Sequence, residues 1–415
     1  VSDWDAVGEL IKHGVAGSKQ EAARKAITAG VDMDMWDATY PLLAAEVRAG
    51  RLPESVVDRA VRRVLRMKIK AGLFDDPFTP ETAPPPLNRD AARRVAQKSI
   101  VLLKNDGDLL PLPKSGRKIA IVGPLADSKV DMIGPWSGQG KAEDCVTLRD
   151  AIPSAVTVDE ADVIVAVLGE AREMSGEAAS RSSIDLPGDQ QKLLESLVAS
   201  GKPVVLVVMS GRPLAISWAA EHVPAIVQAW FLGTESGHAI ADVLFGDVTP
   251  SGKLPVTFPR ATGQVPIYYN QLPTGRPADP NAKYTSKYID VPIGPLFPFG
   301  FGLSYTKFDY SNLTITGLTF SATVRNSGTR DGEEIVQMYI NDPVASVSRP
   351  VKELKGFQRV ALKAGESKRV DFTITRSDLQ FWSEGGWVME PGDFNIWIGP
   401  SSASGLEGKF EFTGK

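Results

Sequence analysis

Val163-Ile-Val-Ala-Val-Leu168 carries no polar side chain and runs straight into Gly169-Glu170-Ala-Arg-Glu173-Met174-Ser-Gly176-Glu177-Ala-Ala-Ser-Arg181. An unbroken apolar run this short, rich in β-branched residues, reads as a strand buried on both faces. The pattern returns in Lys118-Ile-Ala-Ile-Val-Gly123, Val204-Val-Leu-Val-Val-Met209 and Ala225-Ile-Val-Gln-Ala-Trp230, alternating with helical stretches such as Asp189 to Ser200. Alternation of this kind predicts an α/β sandwich domain with a largely parallel sheet over residues 88–265. Open α/β sheets place ligands beyond the carboxyl ends of their strands. The acidic, small-residue run after Leu168 is therefore the first place to look for chemistry, with Glu170, Glu173 and Glu177 as its carboxylates.

Downstream, residues 266–305 are rich in Pro, Gly, Tyr and Asn and form an irregular connector expected to pack along both of its neighbours. Beyond it, Leu313-Thr-Ile-Thr, Phe320-Ser-Ala-Thr-Val, Glu334-Ile-Val-Gln-Met-Tyr-Ile, Lys368-Arg-Val-Asp-Phe-Thr-Ile and Phe394-Asn-Ile-Trp-Ile are short strands separated by turn signals. They predict a β-sandwich of immunoglobulin-like type over 306–415.

Upstream, Thr79 to Leu87 contains Pro80, Pro84, Pro85 and Pro86, a stiff linker across a domain boundary. Residues 1–78 read as two β/α steps. Val1-Ser-Asp-Trp4 leads into helical spacing from Trp4 to His13, and Ser18-Lys-Gln-Glu21 is a capping box opening a second helix that ends near Gly30. Val31-Asp-Met-Asp-Met35 alternates as a strand would. Pro53, then Val56, Val57, Ala60, Val61, Val64, Leu65 and Ile69, with Gly72 at the end, give a long amphipathic helix. A TIM barrel takes about 250 residues, so these would be the last two β/α units of such a barrel, incomplete in this chain. In that setting the strand end at Asp3 is where a barrel enzyme keeps its catalytic groups.

A length of 415 residues is consistent with roughly two or three domains. The chain has 46 basic and 50 acidic residues, a net charge of −4, with no basic block, which argues against nucleic acid or an anionic membrane as main partner. Hydrophobic residues make up 43%, and no window approaches the ~20 apolar residues of a membrane span. The single cysteine, Cys145, excludes an intrachain disulfide. His13, His222 and His238 lack the Cys or acidic spacing of a metal site and read as structural. Gly169-Glu170 has neither the cradle spacing nor the following Lys of a phosphate loop. No cofactor is called for.

Several stretches together resemble glycoside hydrolase family 3, and within it the bacterial β-glucosidases with a C-terminal fibronectin type III-like domain. They are Val1-Ser-Asp-Trp4, Asn105 with Leu109-Leu-Pro-Leu112, Gly169-Glu170 to Arg181, Gly211-Arg-Pro213, and Trp230-Phe-Leu-Gly-Thr-Glu235. Further along come Phe245-Gly-Asp247 with Pro250-Ser-Gly-Lys-Leu-Pro255, Phe297-Pro-Phe-Gly-Phe-Gly-Leu-Ser-Tyr305 and Arg349-Pro-Val-Lys-Glu-Leu-Lys-Gly-Phe357. They run in family order through the whole chain. The resemblance implies a retaining mechanism, with Asp3 as nucleophile and Glu177, in a Glu-x-x-x-Arg arrangement, as acid/base; Glu173 and Glu170 are rivals for the second role. Physical chemistry asks for the same pair: an ionised carboxylate to attack the anomeric carbon, and a carboxyl kept protonated by a less polar setting to release the leaving oxygen. Retention requires the two within about 5 to 5.5 Å.

Each assignment has a plainer counterpart. Taken alone, an Asp before an apolar helix is an N-cap; the ordered motifs favour the nucleophile for Asp3. Trp4 either packs under the barrel rim or stacks on a pyranose face, and Trp136, in Gly134-Pro-Trp-Ser-Gly-Gln-Gly, either fills a loop or stacks at the leaving-group side. Two functions stand side by side. One is an exo-acting β-glucosidase removing terminal glucosyl residues, with β-xylosidase specificity as a variant; the other is a non-catalytic carbohydrate-binding or scaffold remnant. The enzyme reading expects a β-linked glucoside as substrate, an N-terminal barrel segment as separate chain or severed part, room for a homodimer, and, by family analogy, a periplasmic or secreted location.

Overall fold

A computed structural model describes residues 1–36, 39–80 and 88–414. Residues 81–87, which include Pro84 to Pro86 of the proline-rich linker, lie outside the described residues. By its internal contacts the chain divides into two units, Val1–Pro86 and Leu87–Lys415.

The first unit is built on helices α1 (Ala6–Glu9), α2 (Lys19–Ala29), α3 (Leu43–Arg48) and α4 (Glu54–Lys70). Ser18 caps α2 by accepting from Glu21 N, and the Glu21 carboxylate reaches past Ser18 to the Gly17 amide. The helical spacing read from Trp4 to His13 yields one turn, α1, followed by turns that end in Ala16. Neither Val1-Ser-Asp-Trp4 nor Val31–Met35 is a strand in a ladder. A strand needs neighbours on which to spend its backbone hydrogen bonds, and here the two extended segments share only Ser2 N to Met33 O, at 2.8 Å, among the described backbone bonds. Arg51 and Arg24 both bond the buried Glu46, tying α2 and α3, and these hydrogen bonds hold its carboxyl down at about 2.

In the second unit, helix α5 (Arg89–Ser99) leads into strand β1 (Val101–Asn105). Then come β2 (Ile119–Val122), α6 (Lys129–Met132), α7 (Leu148–Ala151), β3 (Val163–Gly169), α8 (Gln190–Ala199), β4 (Val204–Met209), α9 (Ser217–His222), β5 (Ala225–Gln228) and α10 (Ser236–Leu244). The strands form one sheet in the order β1-β5-β4-β3-β2, parallel from β5 to β2 and antiparallel at β1. The sequence pattern gave the four parallel strands but not β1, whose Lys104 and Asn105 break its apolar run. Alternate residues explain why the others are apolar throughout. Val163, Val165 and Val167 face a core shared with α5, α7 and α10, while Ile164, Ala166 and Leu168 face a second core shared with α8 and α9. Each fully buried Val or Leu contributes about 1.5–3 kcal/mol relative to exposure, and one strand feeds both cores.

The remaining strands are β6 (Phe308–Thr316), β7 (Thr319–Asn326), β8 (Gly332–Asn341), β9 (Glu353–Leu362), β10 (Ser367–Thr373), β11 (Phe381–Ser383), β12 (Gly386–Val388), β13 (Gly392–Ser401) and β14 (Ser404–Phe412). The sheets β10-β7-β6 and β14-β13-β8-β9 enclose one core, lined by alternating residues such as Phe320, Ala322 and Val324 opposite Val336, Met338 and Ile340; β11 and β12 form a separate hairpin.

Residues 266–305 meet both the α/β layers, through Leu303 beside Leu102 and Phe297 beside Phe258, and the sandwich. Tyr269 stacks on Phe299 at 4.2 Å and meets Tyr339 edge-on, and the Gln337 side-chain amide donates to Gly300 O and Pro400 O. Beside it lies a buried ion pair, Lys253 Nζ to Glu334 Oε1 at 2.9 Å. Burial pushes the Glu334 carboxyl up, and Lys253 opposes that rise. A carboxyl raised in the folded state contributes stability that is complete below its unfolded pKa and is lost as pH rises through the folded value. Lys253→Met leaves the carboxylate unpaired, raises it further, and should cost about 3–5 kcal/mol at neutral pH. Denaturation midpoints taken at neutral pH and in the carboxylate range should show this loss shrinking on acidification.

Candidate active site

One group of candidate residues lies on the two extended segments of the N-terminal unit. The Ser2 hydroxyl accepts from Met35 N at 2.9 Å and lies 3.3 Å from Asp34 Oδ1, so it pins the end of one segment to the other. Beyond this clasp, Asp3 is exposed, and its Oδ1 accepts from Trp4 N at 2.7 Å. Among the described residues no cation pairs with Asp3. The N-cap position of α1 belongs to Asp5, in the left-handed region with φ 50°, and its side chain makes no capping bond. The Asp3 carboxylate is thus not spent on capping a helix.

Trp4, 61% exposed, packs on Trp36, 40% exposed, with ring centroids 4.3 Å apart. Trp36 had no place in the sequence reading, because only the fold brings it to Trp4. Asp32 is held by Arg63, whose hydrogen bonds keep its carboxyl below the usual range. Tyr40 donates to Val31 O, and burial, helped by Asp34 and Asp32, pushes its hydroxyl up to about 12. These groups brace the second segment.

A second group of candidate residues sits at the carboxyl end of β3. Gln190 fixes that end with one side-chain amide, accepting from Gly169 N and donating to Gly169 O. The next residue, Glu170, is 0% exposed and continues the ladder through its amide to Met209 O. Its carboxylate receives Ser175 Oγ at 2.7 Å, Arg181 Nη1 at 2.6 Å and Arg212 Nε at 3.1 Å. A buried carboxylate held by two guanidinium groups is an anchor, and this takes Glu170 out of contention for a proton-transfer role exposed to substrate. Arg181, which the sequence reading attached to Glu177, pairs with Glu170 instead. Glu173 and Glu177 are both exposed.

Glu177 follows Gly176, whose φ of 100° suits glycine, and precedes Ala178 at φ 56°. A Cβ on Gly176 would meet Pro135 Cβ at 3.2 Å and Trp136 Nε1 at 3.4 Å, so the Glu177 loop lies against the Trp136 loop. Trp136 is 74% exposed. Together with Ser175, Gly211, Trp230 and Phe231 it borders a cleft of about 450 Å³. Trp230 is legible in the sequence only as part of a motif; the fold brings it to the same cleft as Trp136. Asp3 and Trp4 belong to the first unit, Glu177 and Trp136 to the second. Among the described residues there is no group of three or more His, Cys, Asp or Glu side chains arranged to hold a metal, and His238 is engaged by Glu235 at 2.7 Å. No described helix is long and apolar enough to cross a membrane.

Comparison with known proteins agrees with this architecture. Residues 1–67 match the glycosyl hydrolase family 3 N-terminal domain, 100–305 the glycosyl hydrolase family 3 C-terminal domain, and 334–402 a fibronectin type III-like domain. The chain belongs to glycoside hydrolase family 3. It is 44% identical to a periplasmic beta-glucosidase of Salmonella typhimurium, an alignment that covers 99% of this chain and 63% of that protein. A beta-xylosidase of Formosa agariphila is 37% identical over 97% of this chain and 62% of its own length. Among solved structures, a beta-glucosidase from Listeria innocua in complex with glucose superposes with a TM-score of 0.93 at 38% identity, covering 99% of this chain and 62% of that one. The chain therefore spans somewhat less than two thirds of these relatives.

Proposed function

We propose that this chain carries the catalytic pair of a retaining, exo-acting β-glucosidase, which hydrolyses terminal non-reducing β-D-glucosyl residues through a covalent glycosyl-Asp3 intermediate. Glu177 protonates the leaving oxygen and then activates water; Trp4 stacks on the sugar and Trp136 on the leaving group. The observation that carries the reading is the state of the two carboxylates. Asp3 stands exposed at a segment end, uncommitted to a helix cap and flanked by the Trp4–Trp36 pair, and Glu177 stands exposed on a loop anchored at its base. A non-catalytic remnant has no chemical need for either.

The relatives' names, periplasmic beta-glucosidase and beta-xylosidase, frame the substrate and the compartment. We assign this protein to the periplasm or the exterior, and to glucosides before xylosides. The activity belongs to the complete barrel. The first unit exposes Met33, Met35, Val61, Met67 and Ile69, apolar surface that the remaining barrel units, in the same polypeptide or another, would cover. The test is hydrolysis of aryl β-glucosides and β-xylosides by the full-length protein containing this chain. The reading expects turnover with release of the β-anomer first and a higher kcat/KM on the glucoside. A higher value on the xyloside would move the specificity, and no hydrolysis of either would support the remnant.

A further inference from the structure

Arg212 sits at the end of β4 and reaches three ways. Its Nε contacts the buried Glu170 carboxylate at 3.1 Å, and its Nη2 donates to Met174 O and, at 2.7 Å, to Ala179 O. Those two carbonyls lie on either side of Glu177, so one guanidinium closes the neck of the loop that bears the proposed acid/base. Arg181 completes the base, joining Glu170 to Asp185 O at 3.1 Å. Ser175 is held by Glu170, and Gly211 packs so tightly against it that a Cβ there would stand 2.6 Å from Ser175 Cβ and Oγ. Nothing in this arrangement touches Glu177 itself. It fixes the two points between which the backbone carrying Glu177 must run.

The geometry points to Arg212, seated on Glu170, as the residue that positions Glu177 for proton transfer to the leaving oxygen. This inference rests on the acid/base reading of Glu177. A planar guanidinium with donors in fixed directions can serve one carboxylate and two carbonyls at once; an ammonium is a point charge on a flexible stem and cannot hold the same fork. Arg212→Lys therefore keeps the charge beside Glu170 and gives up the neck. Displacement of a catalytic group by as little as ~1 Å costs on the order of 10²-fold in rate, and here the loss falls on the step that needs the proton.

The test compares wild type, Arg212→Lys, Glu177→Ala and the double variant in the full-length protein, using β-glucosides with good and poor leaving groups. The inference expects Arg212→Lys to lose roughly 10²-fold in kcat/KM on the poor leaving group and little on the activated one. It also expects no further selective loss when Arg212→Lys is added to Glu177→Ala, since coupled residues are non-additive. Equal losses on both substrates in Arg212→Lys, or additive losses in the double variant, would make Arg212 a fold residue only and overturn the inference. Should Arg212→Lys fail to fold, Glu170→Gln, which keeps the side-chain shape but replaces one acceptor oxygen with a donor and so weakens the seat of Arg212, carries the same expectation. If Glu177→Ala itself shows no leaving-group selectivity, the acid/base reading fails, and the inference fails with it.

Discussion

Asp3→Gly in the full-length protein should lose roughly 10⁴- to 10⁶-fold in kcat, the scale on which removal of a nucleophile acts, while the protein stays folded. The stability expectation comes from the structure: Asp3 is exposed, its side chain accepts one backbone amide from the adjacent Trp4, and the segment is held by Ser2 rather than by Asp3. The kinetic expectation comes from the chemistry. Without Asp3 no glycosyl ester forms, and the anomeric carbon must wait for an external nucleophile. Azide, small enough to occupy the space vacated by the carboxylate, should restore part of the rate and give α-glucosyl azide, the inverted product. Near-normal activity in Asp3→Gly, or a β-configured azide, would remove Asp3 from the nucleophile's role.

Glu177→Ala should separate substrates by their leaving groups. General acid catalysis contributes about 10²- to 10⁴-fold, so a β-glucoside with an alkyl or sugar leaving group should lose that much in kcat/KM, whereas a dinitrophenyl glucoside, whose leaving group needs no proton, should lose little. Here azide should intercept the glycosyl-enzyme and yield β-glucosyl azide, the opposite configuration to that expected with Asp3→Gly. The basic limb of the pH profile, which reports loss of the acid's proton, should flatten. The same signature from Glu173→Ala would transfer the role to Glu173, also exposed on this loop. Glu170→Ala should add a stability loss to this signature: it strips Arg181 and Arg212 of a shared buried partner, so the denaturation midpoint should fall along with kcat/KM on poor leaving groups.

The parts of the fold that could be read from sequence are those whose pattern is local. Strands β2 to β5 announce themselves because a strand buried on two faces needs apolar residues at every position, and Val163 to Leu168 supply them. β1 does not, because it ends in Lys104 and Asn105 and pairs antiparallel at the sheet edge. In the sandwich, β9 and β14 escaped notice since Gly356 and Gly408 interrupt their alternation; both glycines let neighbouring side chains, Phe372 and Leu313 among them, approach the backbone. Val31–Met35 alternates like a strand but acquires no ladder among the described residues, since periodicity specifies a face and not a partner.

The candidate site divides in the same way. Asp3 and Glu177 stand in short motifs and could be picked out from the chain. The anchoring of the Glu177 loop could not, because Arg212 follows Glu170 by 42 positions and the pairing exists only once β3 and β4 lie side by side. Arg181 illustrates the risk of reading adjacency as contact: four residues from Glu177, it is bonded to Glu170. Trp36 was invisible for the reason that Trp4 was ambiguous. Each needs the other to form an exposed aromatic surface.

The central claim is that Asp3 forms the covalent bond to the sugar, and trapping that bond tests it most directly. A 2-deoxy-2-fluoro-β-glucoside with a good leaving group slows both steps by destabilising the oxocarbenium-like transition state, so the glycosyl-enzyme accumulates. After incubation with the full-length protein, proteolysis and mass spectrometry should locate one fluoroglucosyl group per chain on the peptide containing Val1 to Trp4, at Asp3. A label on Asp32, Asp34 or any other carboxylate, or steady hydrolysis with inverted product and no labelled peptide, would contradict the account.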